Sequence, residues 1–108
     1  MEEIVKLVIF VPLTHTDVVR KVMGEVGAGV IGKYKHCTFS TRGVGRYIPA
    51  EGAHPFIGEV GKLEEVEEER IETVCYKKDL SKIIKAIKSV HPYEEITLDI
   101  YPLVQFEK

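Results

Sequence analysis

The chain has 108 residues, 44% of them hydrophobic and 30% charged, with a formal charge of -2 at neutral pH. That is one domain, residues 1–108, with material for a single core; the balance excludes a disordered polymer. It also gives no global pull toward nucleic acid or an anionic membrane, and no apolar run approaches the roughly 20 residues of a membrane span.

The start, Met1-Glu2-Glu3, is acidic where a secretory signal is basic, and the two cysteines, Cys37 and Cys75, suit a reducing compartment. A cytoplasmic protein is expected. Asn is absent and Gln occurs once beside abundant Glu, Lys, Ile and Val, the amide-poor bias of a thermophile protein.

Ile4 to Val11 is apolar except for Lys6 and predicts a central strand buried on both faces, stopped by Pro12. Thr14 and Asp17 have the spacing of a capping box. The helix they introduce places Val18, Val19, Val22, Met23 and Val26 on one face and ends at Gly27.

Lys33 to Thr41 alternates and reads as a second strand, with Tyr34 and His36 on one side and Cys37 and Phe39 on the other. Gly43-Val44-Gly45 is expected to turn it toward Arg46-Tyr47-Ile48. Eight glycines lie between Gly27 and Gly61 among aromatics and prolines, which marks a shaped excursion and no flexible linker.

The acidic run Glu64–Glu69 reads as a solvated strand face leading into a third strand that ends at Tyr76. Asp79 is placed to cap a second helix whose stripe is Leu80, Ile83, Ile84, Ile87 and Val90. Pro92 stops that helix at His91. Ile96, Leu98 and Ile100 then alternate with Thr97, Asp99 and Tyr101 as a half-buried last strand.

The order strand, helix, strand, strand, helix, strand predicts a ferredoxin-like (split βαβ) α+β sandwich with both helices on one sheet face. Strands one and three are expected side by side and parallel, flanked by four and two. A helix pair covers one side of such a sheet. The other side needs the excursion or a second subunit over it.

The excursion, with Gly27-Ala28-Gly29, Ile31-Gly32, Pro49, Gly52-Ala53, Pro55 and Ile57-Gly58, and the phrase His91-Pro92-Tyr93-Glu94-Glu95 carry a resemblance. They resemble the domain inserted into YqfO-type proteins of the NGG-interacting factor three family, across essentially the whole chain. The His-Pro-Tyr-Glu phrase is also similar to CutA proteins. The resemblance implies a PII/CutA-like fold and a homo-oligomer, with a trimer ahead of a dimer. In the larger YqfO-type proteins the two-metal site lies in the flanking halves, so the resemblance carries over neither those ligands nor a cyclohydrolase activity.

Residue chemistry supplies little beyond this. His36 and Cys37 are adjacent and diverge on a strand, no Cys-x-x-Cys pair occurs, and no P-loop is present. Gly27-Ala28-Gly29-Val30-Ile31-Gly32 follows a helix, so it does not open one toward a phosphate. Cys37 and Cys75 are expected on inner strand faces as small hydrophobes.

Three functional readings remain. The first is a non-enzymatic regulatory module that binds a small ligand or a divalent metal, the candidate cofactor. The others are a structural oligomerisation module and a small enzyme with its site between subunits. Candidate ligand-binding residues are Tyr34, His36, His54, His91, Tyr93 and Glu94, in a cleft between the excursion and the His91 turn. His36, His54 and His91 are the candidate metal ligands, since neutral imidazoles suit borderline metals. The competing account gives each of these groups an ordinary local hydrogen bond.

Overall fold

The structure is a computed structural model that describes residues 2–106. The first strand, β1 (Ile4–Pro12), lies inside a four-stranded sheet, as its almost continuous apolar run predicts. Val5, Leu7, Ile9 and Val11 turn to one side and are almost wholly buried. There they meet Val19 and Met23 of α1 (Thr16–Glu25) and Ile83 and Ile87 of α2 (Leu80–Val90). Both helices therefore cover the same sheet face, and their apolar stripes form one core with Ile71 and Cys75.

The remaining strands are β2 (Phe39–Tyr47), β3 (Glu64–Tyr76) and β4 (Leu98–Pro102), in the order β2-β3-β1-β4. This is the expected ferredoxin-like sandwich with one correction. β1 and β3 are neighbours, as anticipated, but antiparallel, from Ile4 opposite Tyr76 to Pro12 opposite Glu68. The crossover through α1 makes β1 and β2 run the same way without touching. β3 pairs antiparallel with β2, so it also opposes β1.

Several local expectations change as well. The chain from residue 31 to 38 is no strand: reciprocal hydrogen bonds of 2.9 Å between Ile31 and Tyr34 close a tight turn. Gly32 and His36 both have φ of +57° there, which breaks an extended run. β2 begins only at Phe39 and continues straight through Gly43 and Gly45, paired with Glu68 and Val66. Those glycines make no turn; the reversal is the loop of residues 48–63.

Neither helix is capped as predicted. A 3-10 turn, Leu13–His15, precedes α1; Thr14 Oγ1 bonds the His15 ring at 2.7 Å, and Asp17 pairs with Arg20. Asp79 holds the N-cap position of α2, but its side chain makes no capping bond and approaches Lys82 at 3.6 Å. The C-termini behave as expected. α1 closes with Gly27 at φ +102°, its N–H bonded to Gly24 O and that of Ala28 to Met23 O. α2 stops with His91 extended before Pro92.

The acidic run is also only half solvated. Glu65 and Glu67 are exposed, whereas Glu68 and Glu69 are each 8% exposed. Glu69 turns to the helix side and accepts from Arg20 Nη1 at 2.6 Å. Glu68 turns to the opposite side.

That opposite face divides into two regions. Its centre holds Val8, fully buried in register with Glu72 and Asp99. Beside it Glu72 lies 3.6 Å from Lys6 Nζ and 3.8 Å from Arg70 Nε, and the Arg70 guanidinium lies over the Phe10 ring. Phe39 and Tyr101, also on this face, are 67% and 43% exposed. At the end of β1 that leads into α1, the 48–63 loop folds back over the sheet and encloses a cleft.

Candidate functional site

The cleft has a volume of about 490 Å³ and forms where three stretches meet. The sheet supplies its floor with Phe10, Gly45, Tyr47 and Glu68, and Thr97 joins it just before β4. The excursion supplies Pro49, Pro55 and Phe56, and the turn after α2 supplies Tyr93, Glu94 and Glu95. It is thus bordered by the excursion and the turn after His91.

Tyr93 organises it. Its ring centroid lies 5.0 Å from that of His91, 6.3 Å from Tyr47 and 6.5 Å from Phe56, all inclined to it rather than stacked. Its hydroxyl donates to Glu68 Oε2 at 2.7 Å, which gives this buried carboxylate a charge-assisted partner. Gly45 makes room for that carboxylate: a Cβ at this position would overlap Glu68 Oε1. The excursion is tied down on both sides. Tyr47 OH donates to Ile57 O at 2.6 Å, and the His54 N–H donates to Glu94 Oε1 at 2.7 Å. Phe56 packs edge-on against His15, with centroids 5.5 Å apart.

Burial first, then the hydrogen bond to Glu68, its charge and that of Tyr47 push the Tyr93 phenol far above its ordinary range. Burial, then Glu64 and Glu68, raise that of Tyr47. Both phenols stay protonated as donors. His91 is 7% exposed, and both ring nitrogens are engaged. Nδ1 accepts from the Tyr93 N–H at 3.2 Å, which leaves Nε2–H to donate to Phe10 O at 2.9 Å. Burial is the largest influence on this imidazole and lowers its pKa, with the nearby His15 acting the same way; the bond to Phe10 and the Glu68 charge oppose them. Proton transfer at neutral pH needs a group poised near that pH with a free lone pair or proton. These three rings are held otherwise: the two phenols stay protonated, and both nitrogens of His91 are engaged.

The six residues singled out from the sequence separate into two groups. Tyr93 and Glu94 line the cleft; His54 anchors its edge through the backbone, and His91 supports Tyr93 from beneath. Tyr34 and His36 are not part of it, because the segment that carries them is a turn. Tyr34 is 75% exposed, and the His36 ring lies against Gly24 near the C-terminus of α1, where any Cβ would overlap it. His91 sits beside Phe10, near the other end of that helix. His36, His54 and His91 therefore do not converge, and among the described residues no three His, Cys, Asp or Glu side chains are grouped to hold a metal. Cys75 is in the core as expected, its thiol pushed up by burial and then by Asp79; Cys37 lies in the turn.

Glu68, Tyr47, Phe56 and Phe10 escaped the sequence reading. Strand alternation carried a signal for Glu68: it shares a face with Val66, which is 8% exposed, but only if β3 begins as early as Glu64. Tyr47 and Phe56 gave none, since nothing local says that residues 48–63 fold back.

Among solved structures, a sheet of this order under two helices is that of CutA proteins. The divalent cation tolerance protein CutA of Archaeoglobus fulgidus aligns over 97% of this chain and 88% of its own, with a TM-score of 0.69 and 15% identity. The fold is thus PII/CutA-like. The Bacillus cereus protein related to NIF3 is nearer, with a TM-score of 0.84 and 50% identity, matching 96% of this chain and 26% of that one. The GTP cyclohydrolase 1 type 2 homolog of Halalkalibacterium halodurans is 51% identical over 102 residues, 94% of this chain and 27% of that protein. This chain is a homologue of a domain-sized segment of the NIF3-related proteins and spans about a quarter of their length. No protein-family model matches it. Among the described residues no helix is long and apolar enough to cross a membrane.

Proposed function

We propose that this domain is a non-enzymatic binding module of PII/CutA type that holds a small ligand in the cleft between the excursion and the His91 turn. The observation that carries the reading is a cleft of about 490 Å³ whose walls come from distant parts of the chain and are bonded to each other. The His54–Glu94 bond joins its two rims, and the Tyr93–Glu68 bond joins one rim to the floor. Pockets of a few hundred Å³ with aromatic walls and a few fixed polar groups are the usual form of small-molecule sites. A divalent cation, the class named for the Archaeoglobus protein, is the competing occupant. The relatives' cyclohydrolase name describes far longer proteins, and no such activity is proposed here.

The reading includes a homo-oligomer, a trimer ahead of a dimer. Its physical support is the outer sheet face, where Phe39 and Tyr101 remain 67% and 43% exposed. The same face supports the second reading, a module that serves assembly alone.

A thermal-shift screen separates them. Small organic molecules, adenine nucleotides, zinc and copper are added to the purified chain, and a ligand of the native state raises its melting temperature by mass action. The binding reading expects at least one organic compound to do so. Binding by none, with light scattering that shows a stable oligomer, leaves the assembly reading. A monomer at micromolar concentration removes the oligomer from both.

A further inference from the structure

The cleft combines aromatic walls with negative charge. Tyr47, Phe56 and Tyr93 bring three rings to it, the Phe10 ring being already covered by the Arg70 guanidinium, and Glu68, Glu94 and Glu95 bring three carboxylates. Arg46 is the one basic side chain in the lining, and its Nε is engaged with Glu65 Oε2 at 3.0 Å. We propose that the ligand is a small organic cation, an alkylated or quaternary ammonium compound.

The proposal deepens the binding reading and rests on it. An anion or a nucleotide phosphate would meet three carboxylates, and like charges at close range repel it. A bare metal ion needs several ligands converging on one point, and Glu68 and Glu94 are already committed to Tyr93 and His54. A soft, weakly hydrated ammonium needs neither. It gains from ring faces within about 6 Å and from negative charge nearby, without demanding directed hydrogen bonds. Tyr93 and Phe56, with planes inclined by 49°, present faces in different directions, as a cavity that encloses a rounded cation requires. The buried Glu68 supplies the counter-charge from the floor, where water screens it least.

Isothermal titration calorimetry with choline and with its uncharged isostere, 3,3-dimethylbutan-1-ol, at equal ionic strength tests this. Choline is expected to bind about five- to thirtyfold more tightly than the alcohol, as about 1–2 kcal/mol of cation recognition implies. Phe56→Leu keeps the bulk and removes a ring, and Glu94→Gln keeps the shape and removes a charge. Both sites are solvent-exposed, so the variants should fold, and each should weaken choline several-fold while changing the alcohol little. Equal binding of choline and alcohol overturns the cation inference and leaves the cleft as a ligand site. Choline binding that both variants leave unchanged overturns the location. No binding of either probe overturns the cation inference, while the binding reading falls only if the wider thermal-shift screen also finds no ligand.

Discussion

Removing one hydroxyl, by Tyr93→Phe, tests how the cleft is held. The ring stays, with its contacts to His91, Tyr47 and Phe56, but Glu68 Oε2 loses its 2.7 Å donor while 8% exposed. A hydrogen bond to a buried charge contributes about 1.5–3 kcal/mol, so a loss of about 2 kcal/mol is expected. For a domain of this size that lowers the melting temperature by about 10 °C. Glu68→Met removes the other partner and strands only a neutral phenol, at a cost of about 1–2 kcal/mol. The double variant replaces the pair by apolar groups, so its cost should fall short of the sum by about 1–2 kcal/mol. Urea unfolding at a fixed protein concentration, followed by circular dichroism, reads all four proteins. A Tyr93→Phe loss below about 0.5 kcal/mol, or an additive cycle, refutes the claim that this bond seats the carboxylate.

Other substitutions probe the glycines and the histidine. Gly45→Ala places a methyl group where Glu68 Oε1 lies, so it should destabilise the wild type yet cost clearly less in a Tyr93→Phe background, in the same urea assay. Gly27 and Gly29 both have positive φ, +102° and +81°, but only Gly29 is crowded, its Cβ position 2.6 Å from the Cys37 backbone. Gly27→Ala should cost about 1–2 kcal/mol for left-handed geometry, and Gly29→Ala about 1–2 kcal/mol more for the displaced bonds to Cys37; equal losses count against the close approach. His91 is held neutral, so the unfolded chain takes up a proton near the ordinary imidazole value of 6.5 while the folded one resists. Stability should be insensitive to this group above that pH and fall below it, by at most about 1.4 kcal/mol per pH unit, until the lowered folded pKa is passed. His91→Gln should flatten that acid limb in urea titrations, and an unchanged slope would contradict a His91 held neutral in the folded chain.

The helices and β1 were legible because their signals are periodic and their partners are generic. Val19 with Met23, and Ile83 with Ile87, need only an apolar surface opposite, and β1 supplies it. The residues from 31 to 38 misled because Lys33 to Thr41 alternates as a strand does, while the backbone obeys Gly32 and His36. That single difference leaves Tyr34 and His36 outside the cleft. The turn at His91 was legible through Pro92, and Tyr93 and Glu94 of that turn line the cleft. Glu68 was hidden because a glutamate in an acidic run is ordinarily solvated, and only a phenol 25 residues later in sequence makes its burial tolerable.

The central claim is that the junction of the excursion and the His91 turn is a ligand site. A nuclear magnetic resonance titration of the isotope-labelled chain with choline and a panel of neutral organic fragments tests it most directly, because it reports position as well as binding. The account predicts saturable amide shifts concentrated at Gly45, Tyr47, Ala53, Phe56, Tyr93, Glu94 and Thr97, with residues 31–38 unmoved. Shifts concentrated around Tyr34 and His36, or none for any compound, would contradict it.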